Sequence, residues 1–223
     1  SATDVARGPA GELYVADTFS HVIHRVGVDG RISVFAGTPG TPGSGDGARA
    51  TATFYNPAAI AVDASGVVYV ADSGNHTIRR IDTQGVVSTW AGTPGQCGGV
   101  DGVGAAARFC GPLGLTVGPS GDVFVADTST HTIRRIGAGG VVSTYAGVLN
   151  SPGLSNGMVA RFLNPRGLAF DAFGNLFVAD TGNSLVRRIT AAGSTSTVMG
   201  QAGTAALLPG ADGSINAPTG IAV

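Results

Sequence analysis

The sequence contains no lysine, a single glutamate and few aromatic residues. All thirteen basic residues are arginines, they are spread along the 223 residues, and the formal net charge is −1. A nucleic-acid-binding domain normally carries a clustered basic excess, so this composition argues against that class. No apolar run reaches the roughly 18 residues that a membrane-spanning helix needs. The sequence therefore predicts neither a nucleic-acid partner nor a membrane span.

A sustained helical period of apolar residues is also missing. The chain has 37 glycines and 11 prolines, which interrupt long helices, although 43% of its residues are apolar. The apolar residues are mainly Val, Ala and Ile, in runs of four to six bounded by turn residues. Such runs are typical of strands buried on both faces, so an all-β fold is predicted.

Cysteine is scarce, and the two that are present lie close together in "QCGGVDGVGAAARFCG" as Cys97 and Cys110. Their spacing does not suit a zinc pair, and no histidine lies nearby in the sequence. We expect a local disulfide across this glycine-rich loop, the alternative being two free buried thiols. A disulfide predicts an extracellular or periplasmic, secreted location.

One segment recurs four times without gaps, and its acidic residue returns at intervals of 55, 55 and 53 residues. The copies are "ELYVADTFSHVIHRV" (12–26), "VVYVADSGNHTIRRI" (67–81), "DVFVADTSTHTIRRI" (122–136) and "NLFVADTGNSLVRRI" (175–189). Each period has room for four strands in all, separated by turns such as "DASG". Four short antiparallel strands per unit at this period predict a β-propeller with about four blades in this chain. A parallel β-solenoid would need a much shorter period.

The second unit, "PAAIAVDASGVVYVADSGNHTIRRID", resembles the NHL repeat, named after an Asn-His-Leu triplet that appears here as Asn75-His76-Thr77. The spacers of the form "DG…ARF…P" resemble those of bacterial secreted NHL-repeat proteins. The resemblance extends over essentially the whole chain and implies a propeller whose first strand in each blade is innermost. It leaves function open, because NHL propellers include protein-binding and RNA-binding modules, sensor domains and an amidating lyase.

The repeat pattern predicts a single propeller, or a propeller segment, over residues 1–223. We expect blades at about 3–37, 57–92, 112–147 and 165–200, and the start of a further blade at 218–223. The segment "PTGIAV" (218–223) repeats the strand that "TDVAR" (3–7) already supplies, so the surplus strand favours a segment of a larger propeller. The alternatives are a four-bladed ring with one terminal strand displaced, and assembly with other copies of the chain.

Asp72, Ser73 and His76 lie together in the manner of a catalytic triad, but they recur with the repeat, whereas catalytic groups are usually unique. We therefore interpret the repeated acids as architecture, each paired with an arginine eight residues later. The predicted structural pairs are Asp17/Arg25, Asp72/Arg80, Asp127/Arg135 and Asp180/Arg188. Each pair would be a charge-assisted bond within a blade or between blades.

Metal and phosphate sites are not predicted. His21, His76 and His131 share one repeat position on the third strand out, so they are too far apart to converge on one metal. The glycine-rich stretch at 37–47 lacks the Gly-Lys-Ser element of a phosphate-binding loop. Asp46, Asp101 and Asp212 precede glycines and are interpreted as turn residues, with calcium as the alternative. No cofactor is therefore expected.

Function is sought where the repeats differ. The fourth linker, 201–211, has eleven residues where the others have eight, and Arg166 is the one charged residue among those that follow the blade-opening prolines. We expect a binding face formed by loops and by the mouth of the channel, with Phe19, Asn75, His76, His131 and Arg166 as candidate residues.

We favour a non-enzymatic extracellular propeller that binds a protein or glycan ligand. Further blades, or other copies of the chain, are alternative partners. The alternative function is a lyase or lactonase-like hydrolase with a metal in the central channel, which needs convergent acids or histidines on the inner strands. The inner-strand stretches "AIAVD", "GLTVG" and "GLAFD" offer few such groups.

Overall fold

The computed structural model describes residues 1–200 and 215–223. These residues form four antiparallel sheets arranged as the blades of a β-propeller, which confirms the predicted fold class. The predicted fourth linker at 201–211 and the Asp212-Gly213 turn lie outside the described residues. No helix within the described ranges is long and apolar enough to cross a membrane.

Each blade runs from an inner strand, next to the propeller axis, to an outer strand. In blade 1 the strands are β1 (Ala2–Arg7), β2 (Leu13–Asp17), β3 (Val22–Val26) and β4 (Ile32–Ala36). Blade 2 has β5 (Gly47–Ala48), β6 (Pro57–Val62), β7 (Val68–Asp72), β8 (Thr77–Ile81) and β9 (Val86–Ala91). Blade 3 has β10 (Gly102–Val103), β11 (Pro112–Val117), β12 (Val123–Asp127), β13 (Thr132–Ile136) and β14 (Val141–Ala146). Blade 4 has β15 (Pro165–Phe170), β16 (Leu176–Asp180), β17 (Leu185–Ile189) and β18 (Thr195–Met199).

The two-residue strands β5 and β10 belong to the spacers between blades. In each case the spacer pairs with the outermost strand of the blade that follows it, β5 with β9 and β10 with β14. The spacer before blade 4 makes the same contact through a single bridge between Gly157 and Thr195. A spacer therefore forms the outer edge of the next blade and covers part of its face.

The hydrophobic core lies between blades. Three separate clusters of buried apolar residues fill the interfaces between blades 1 and 2, blades 2 and 3, and blades 3 and 4. Burial of one strand position depends on whether a preceding blade packs against it. Val68 faces blade 1 and is 1% exposed, whereas Leu13, at the same repeat position in blade 1, is 37% exposed. Burial thus depends on stacking of neighbouring blades, as expected for repeat proteins.

The two copies of the blade-opening segment take different places. Residues of β1 pair with β2 of their own blade, for example Val5 with Val15. The second copy lies beside blade 4, where the Thr181 hydroxyl donates to the Pro218 carbonyl at 2.6 Å. Thr128 donates to the Pro165 carbonyl in the same way at the preceding interface. Residues 218–221 therefore have the relation to blade 4 that β15 has to blade 3.

Candidate functional site

The inner strands enclose a cleft of about 380 Å³ at the propeller axis. It is formed where each inner strand begins, and Arg166 lies in its wall. In blades 2 to 4 the lining residue directly follows the blade-opening proline, whereas blade 1 has Ala2 in place of the proline. The residues at this repeat position are Thr3, Ala58, Leu113, Arg166 and Thr219, and all five line the cleft. The remaining wall is mostly main chain and aliphatic side chains, because glycine or leucine occupies the next two positions of β11 and β15.

Arg166 is exposed in this cleft, and its guanidinium makes no hydrogen bond or ion pair with the residues at 1–200 or 215–223. The other four residues at its repeat position carry no charge. Arg166 therefore lies in the cleft wall, and its five N–H donors have no partner in the part of the chain that the structure describes.

Asp4 is the second charged residue in the cleft, and the sequence prediction missed it. Its Oδ1 accepts from the Val5 N–H and its Oδ2 from the Ile60 N–H, both at 2.9 Å, so one carboxylate joins blades 1 and 2 at the axis. Burial raises the pKa of Asp4, and the two backbone bonds partly oppose that rise. The signal was available, because the equivalent positions hold only alanine or glycine: Ala59, Gly114, Gly167 and Gly220.

The predicted Asp/Arg pairs are wrong by one residue, as blades 2 and 3 show. Asp72 Oδ2 binds Arg79 Nη1 at 2.9 Å, and not the predicted partner Arg80. Asp127 Oδ2 binds Arg134 Nη1 at 3.2 Å in the same register. The predicted partner of Asp127, Arg135, instead pairs with Asp122 at the surface. The acids are therefore paired with arginines, but with the arginine that precedes the predicted one.

The predicted pairs of Arg188 in blade 4 and Arg25 in blade 1 are also wrong. Asp180 Oδ2 binds Arg187 Nη1 at 2.8 Å and not Arg188, which is opposite Phe177 on the other face of the sheet. Arg25 does not pair with Asp17 either, since Arg25 is exposed and is opposite Tyr14. His24 takes the position that faces Asp17, with its Nε2 3.3 Å from Asp17 Oδ2. The predictions for Arg25 and Arg188 as structural partners are therefore wrong.

The cause of this error is the alternation of side chains along a strand. In blade 2, Asp72 is opposite Thr77 and Val70 is opposite Arg79, so Arg79 is the diagonal neighbour of Asp72 on the same face. Arg80 is opposite Tyr69 on the other face of the sheet. A spacing of eight residues across this turn thus places acid and arginine on opposite faces, and a spacing of seven brings them together.

Each of these buried arginines also binds the spacer that precedes its blade. Arg79 Nη1 donates to the Thr53 carbonyl at 2.9 Å, and Nη2 donates to the Gly45 carbonyl and to Asp46 Oδ1 at 2.9 and 2.6 Å. The Phe54 ring lies 5.1 Å from the guanidinium carbon. Asp46 is therefore more than the predicted turn residue, since it is the second anion of a buried cation.

The same arrangement recurs in the other two blades. Arg134 binds Asp101 and stacks on Phe109, and Arg187 binds the Asn156 side chain and stacks on Phe162. Burial raises the pKa of the three inner carboxyls, to about 6 for Asp72 and Asp127, while their hydrogen bonds act in the opposite direction. All three acids have no exposed surface, so a ligand in the axial cleft does not reach them.

The repeated histidines connect neighbouring blades. Nδ1 of His76 accepts from the Gly111 N–H at 3.1 Å, and Nδ1 of His131 accepts from the Asn164 N–H at 3.1 Å. His21 makes the equivalent bond to Asn56. All three have positive φ at the end of the turn between the second and third strands. The candidate binding residues His76 and His131 thus have a structural role, because the ring nitrogen facing the next blade is already bonded.

Asn75 is likewise an internal residue. The residue is 8% exposed, and its side-chain amide donates to the Gly43 carbonyl at 2.7 Å and to Asp72 Oδ2 at 2.8 Å. Asn183 makes the matching pair of bonds in blade 4. Asn75 therefore orients the acid of the buried ion pair and joins the spacer to the blade. It is corrected from a candidate ligand contact to a structural residue.

Family comparisons identify the repeat. The family model described as the teneurin NHL domain matches residues 40–98, and the model described as the NHL repeat matches residues 109–136. The chain is built from NHL repeats. The asparagine and histidine of the NHL triplet, Asn75 and His76, thus both bond to spacers.

Curated relatives cover most of the NHL propeller. The chain is 33% identical over 200 residues to Protein SUPPRESSOR OF QUENCHING 1, chloroplastic, of Arabidopsis thaliana. The matched segment makes up 83% of this chain and 19% of that protein. It is also 32% identical over 207 residues to NHL repeat-containing protein 2 of Homo sapiens. Here the matched segment makes up 80% of this chain and 28% of that protein. The chain therefore spans less than a third of either relative.

Solved structures share the propeller fold at low identity. An auxiliary nutrient binding protein from Bacteroides ovatus superposes on 100% of this chain and 54% of its own, with a TM-score of 0.69 and 17% identity. Virginiamycin B lyase from Staphylococcus aureus superposes on 88% of this chain and 55% of its own, with a TM-score of 0.62 and 18% identity. The fold of the NHL propeller thus occurs in binding proteins and in enzymes alike.

Phe19 remains a candidate on the loop face. It lies in the turn between β2 and β3 of blade 1 and is 75% exposed. At the same face, in the spacer before blade 3, Cys97 and Cys110 form the predicted disulfide, with their Cα atoms 4.4 Å apart. Cys110 also donates its backbone N–H to Asp127 Oδ1 at 2.7 Å, so the disulfide holds a spacer that supports the buried ion pair.

The lyase-like alternative needs metal ligands in the channel, and the cleft offers few. Within the described residues no group of three or more His, Cys, Asp or Glu side chains lies close enough to hold a metal ion. Asp4 is the one acid in the described cleft wall, and both of its oxygens accept backbone N–H groups. The described part of the channel therefore does not fit a metal centre.

Proposed function

We propose that this NHL propeller is a non-enzymatic binding module that acts outside the cytoplasm, and that its protein or glycan ligand enters the axial cleft. The observation that carries the proposal is the contrast between the cleft and the buried polar groups. The cleft presents open main chain and the guanidinium of Arg166, which has no partner among residues 1–200 and 215–223. The repeated acids, histidines and asparagines are bonded within the propeller. A concave site with a few convergent polar groups is the usual form of a ligand site.

Two further observations support this proposal. The Cys97–Cys110 disulfide favours an oxidising compartment, either extracellular or periplasmic. Two auxiliary nutrient binding proteins share the propeller fold over 87% and 100% of this chain.

The test uses two alanines, one near the start of β6 and one just beyond its end. Ala58 lies in the cleft, and Ala64 lies in the exposed turn after the same strand. We expect Ala58→Trp to fill the mouth and abolish capture of ligand from a glycan array and from a panel of extracellular proteins. Ala64→Trp adds the same surface elsewhere and should leave capture unchanged.

Two results would contradict the proposal. Equal capture by both tryptophan variants would place the ligand away from the cleft. A metal ion bound in stoichiometric amount by the purified chain, together with turnover of a lactone or lyase substrate, would favour the enzyme alternative.

A further inference from the structure

The inner strands can bind a carboxylate at the propeller axis, as the side chain of Asp4 shows. It accepts one N–H from its own strand, that of Val5, and one from the next inner strand, that of Ile60. Two backbone N–H groups from adjacent blades therefore form a site for one carboxylate. The protein fills this site with its own side chain at the interface of blades 1 and 2.

At blade 4 the same repeat position holds a glycine, Gly167, so no side chain at this position enters the cleft. Leu168 is the equivalent of Val5 and Ile221 the equivalent of Ile60. The pairing of Leu168 with Val178 matches that of Val5 with Val15, so the Leu168 N–H also points to the axis. No side chain in the described residues accepts from Leu168 or Ile221.

The main chain of residues 219–221 packs directly against Gly167, since a Cβ there would lie only 3.0 Å from the Ile221 nitrogen and 2.8 Å from the Thr219 carbonyl oxygen. This close packing places the Ile221 nitrogen beside the strand of Leu168, and both residues line the cleft. Arg166 lies directly before this glycine and brings the positive charge that blade 1 lacks at Thr3. Leu168, Ile221 and Arg166 all line the same cleft, and two N–H donors together with a guanidinium form a favourable environment for a carboxylate.

We propose that the axial cleft binds the free carboxyl terminus of a peptide, with the carboxylate held by the N–H groups of Leu168 and Ile221 and by the Arg166 guanidinium. This inference rests on the proposed function, since it requires the cleft to be the ligand site. A peptide terminus is favoured over an acidic sugar for two reasons. The Thr219 carbonyl can accept the N–H of the last peptide residue, and the described cleft wall has leucines but no aromatic ring on which a sugar would stack.

The first experiment compares acetyl-Gly-Gly-Leu with a free carboxylate and the same peptide with a carboxamide end, by calorimetry and by amide NMR. We expect the acid to bind saturably and at least about 10-fold more tightly than the amide, because charge-assisted bonds are about twice as strong as neutral ones. The N–H resonances of Leu168 and Ile221 should shift downfield with the acid alone.

Arg166→Gln removes the charge from an exposed residue and should leave the unfolding midpoint unchanged. We expect it to weaken binding of the acid by about 10- to 100-fold, as for loss of a hydrogen bond to a charged group, and to leave the weak binding of the amide unaltered.

Gly220 offers a matched pair of variants in the cleft, because a Cβ there would meet no atom within 4 Å. Gly220 occupies the repeat position of Asp4, so the carboxylate in Gly220→Asp can bond the Ile221 N–H as Asp4 bonds Val5. We expect this variant to lose at least about 10-fold in affinity for the acid by competition and repulsion. Gly220→Ala adds the carbon without the charge and should bind normally.

Each contrary result has a distinct meaning. Equal affinity for acid and amide, or no effect of Arg166→Gln, would overturn the carboxylate site. Binding of galacturonate with the same NMR shifts but no binding of the peptide would overturn the peptide assignment. Failure of both peptides to bind would contradict this inference, whereas the proposed binding function is judged separately by the Ala58→Trp comparison.

Discussion

Arg79 and Asp72 are both without exposed surface, and their Nη1 and Oδ2 atoms lie 2.9 Å apart between two blades. The arginine reaches past its own blade to bind the spacer through Asp46. One guanidinium thus joins a strand, a spacer and an aromatic ring. This unit recurs in blades 3 and 4, and it makes the propeller sensitive to single substitutions.

Adjacent arginines in β13 give the sharpest test of this arrangement. Arg134 is fully buried against Asp127, whereas Arg135 is 48% exposed and pairs with Asp122. We expect Arg134→Met to lower the free energy of unfolding by about 3–5 kcal/mol, because it leaves a buried charge unpaired. Arg135→Met should cost about 1 kcal/mol or less, as for a surface ion pair.

The measurement is urea unfolding of both variants, with Asp127→Ala as a third. Asp127→Ala should lose about 3 kcal/mol, since it leaves Arg134 without its inner partner. A larger loss for Arg135→Met than for Arg134→Met would mean that the two side chains have exchanged faces.

The disulfide should be present in the purified protein. Intact mass without reductant is expected to be two hydrogens lower than after reduction. The double variant Cys97→Ser with Cys110→Ser should lose about 3 kcal/mol of unfolding free energy, from closure of a loop of this size in the chain-entropy account. Equal masses in the two conditions would remove the argument for an oxidising compartment.

The histidine connection between blades can be tested by using the chain's own variation. Blade 4 has Ser184 at the histidine position, and its hydroxyl accepts from the Ala217 N–H at 3.3 Å. His76→Ser should therefore keep a partner for the Gly111 N–H. His76→Ala removes that partner and should cost about 1–2 kcal/mol, measured by urea unfolding. Equal losses for the two variants would show that the hydrogen bond contributes little.

Asp4 should make stability depend on pH. Its pKa in the folded chain is raised above the ordinary value of 3.8, so the unfolded state releases the proton first as pH rises. The contribution of Asp4 to stability is therefore complete below pH 3.8 and is lost as pH rises through the folded pKa. Unfolding curves of the wild type and of Asp4→Asn should diverge across this window. A constant difference between them would contradict the shift.

Much of the fold was predictable from the sequence, because a recurrence of 53 to 55 residues with four strand-sized runs fits few architectures. The disulfide was predictable from the spacing of Cys97 and Cys110. The ion-pair register was not, since the face on which an arginine lies depends on how many residues the turn after Asp72 uses. That turn is a three-residue 3-10 turn followed by His76 at φ 60°.

The candidate site was predictable only in part. Arg166 stood out as the one charged residue at its repeat position, and the structure places it in the cleft. Asn75 and His76 were expected to face a ligand because they lie in a loop. Their bonds to the neighbouring spacer could not be read from the sequence, since they join residues 32 and 35 positions apart. Asp4 could have been found in the sequence, because it shares a repeat position with Gly167 and is the one acid among the residues at that position.

The location of the core between blades affects how such a chain can change in length. Inserting one residue into β7 or β8 would move every later side chain of that strand to the wrong face and break a buried ion pair. Inserting residues into a spacer before its contact with the next blade leaves both neighbouring interfaces intact. Insertion of a whole unit of about 55 residues supplies one more interface of the same kind. We therefore expect natural variation among related chains to consist of spacer insertions and whole-repeat duplications, with strand lengths nearly constant.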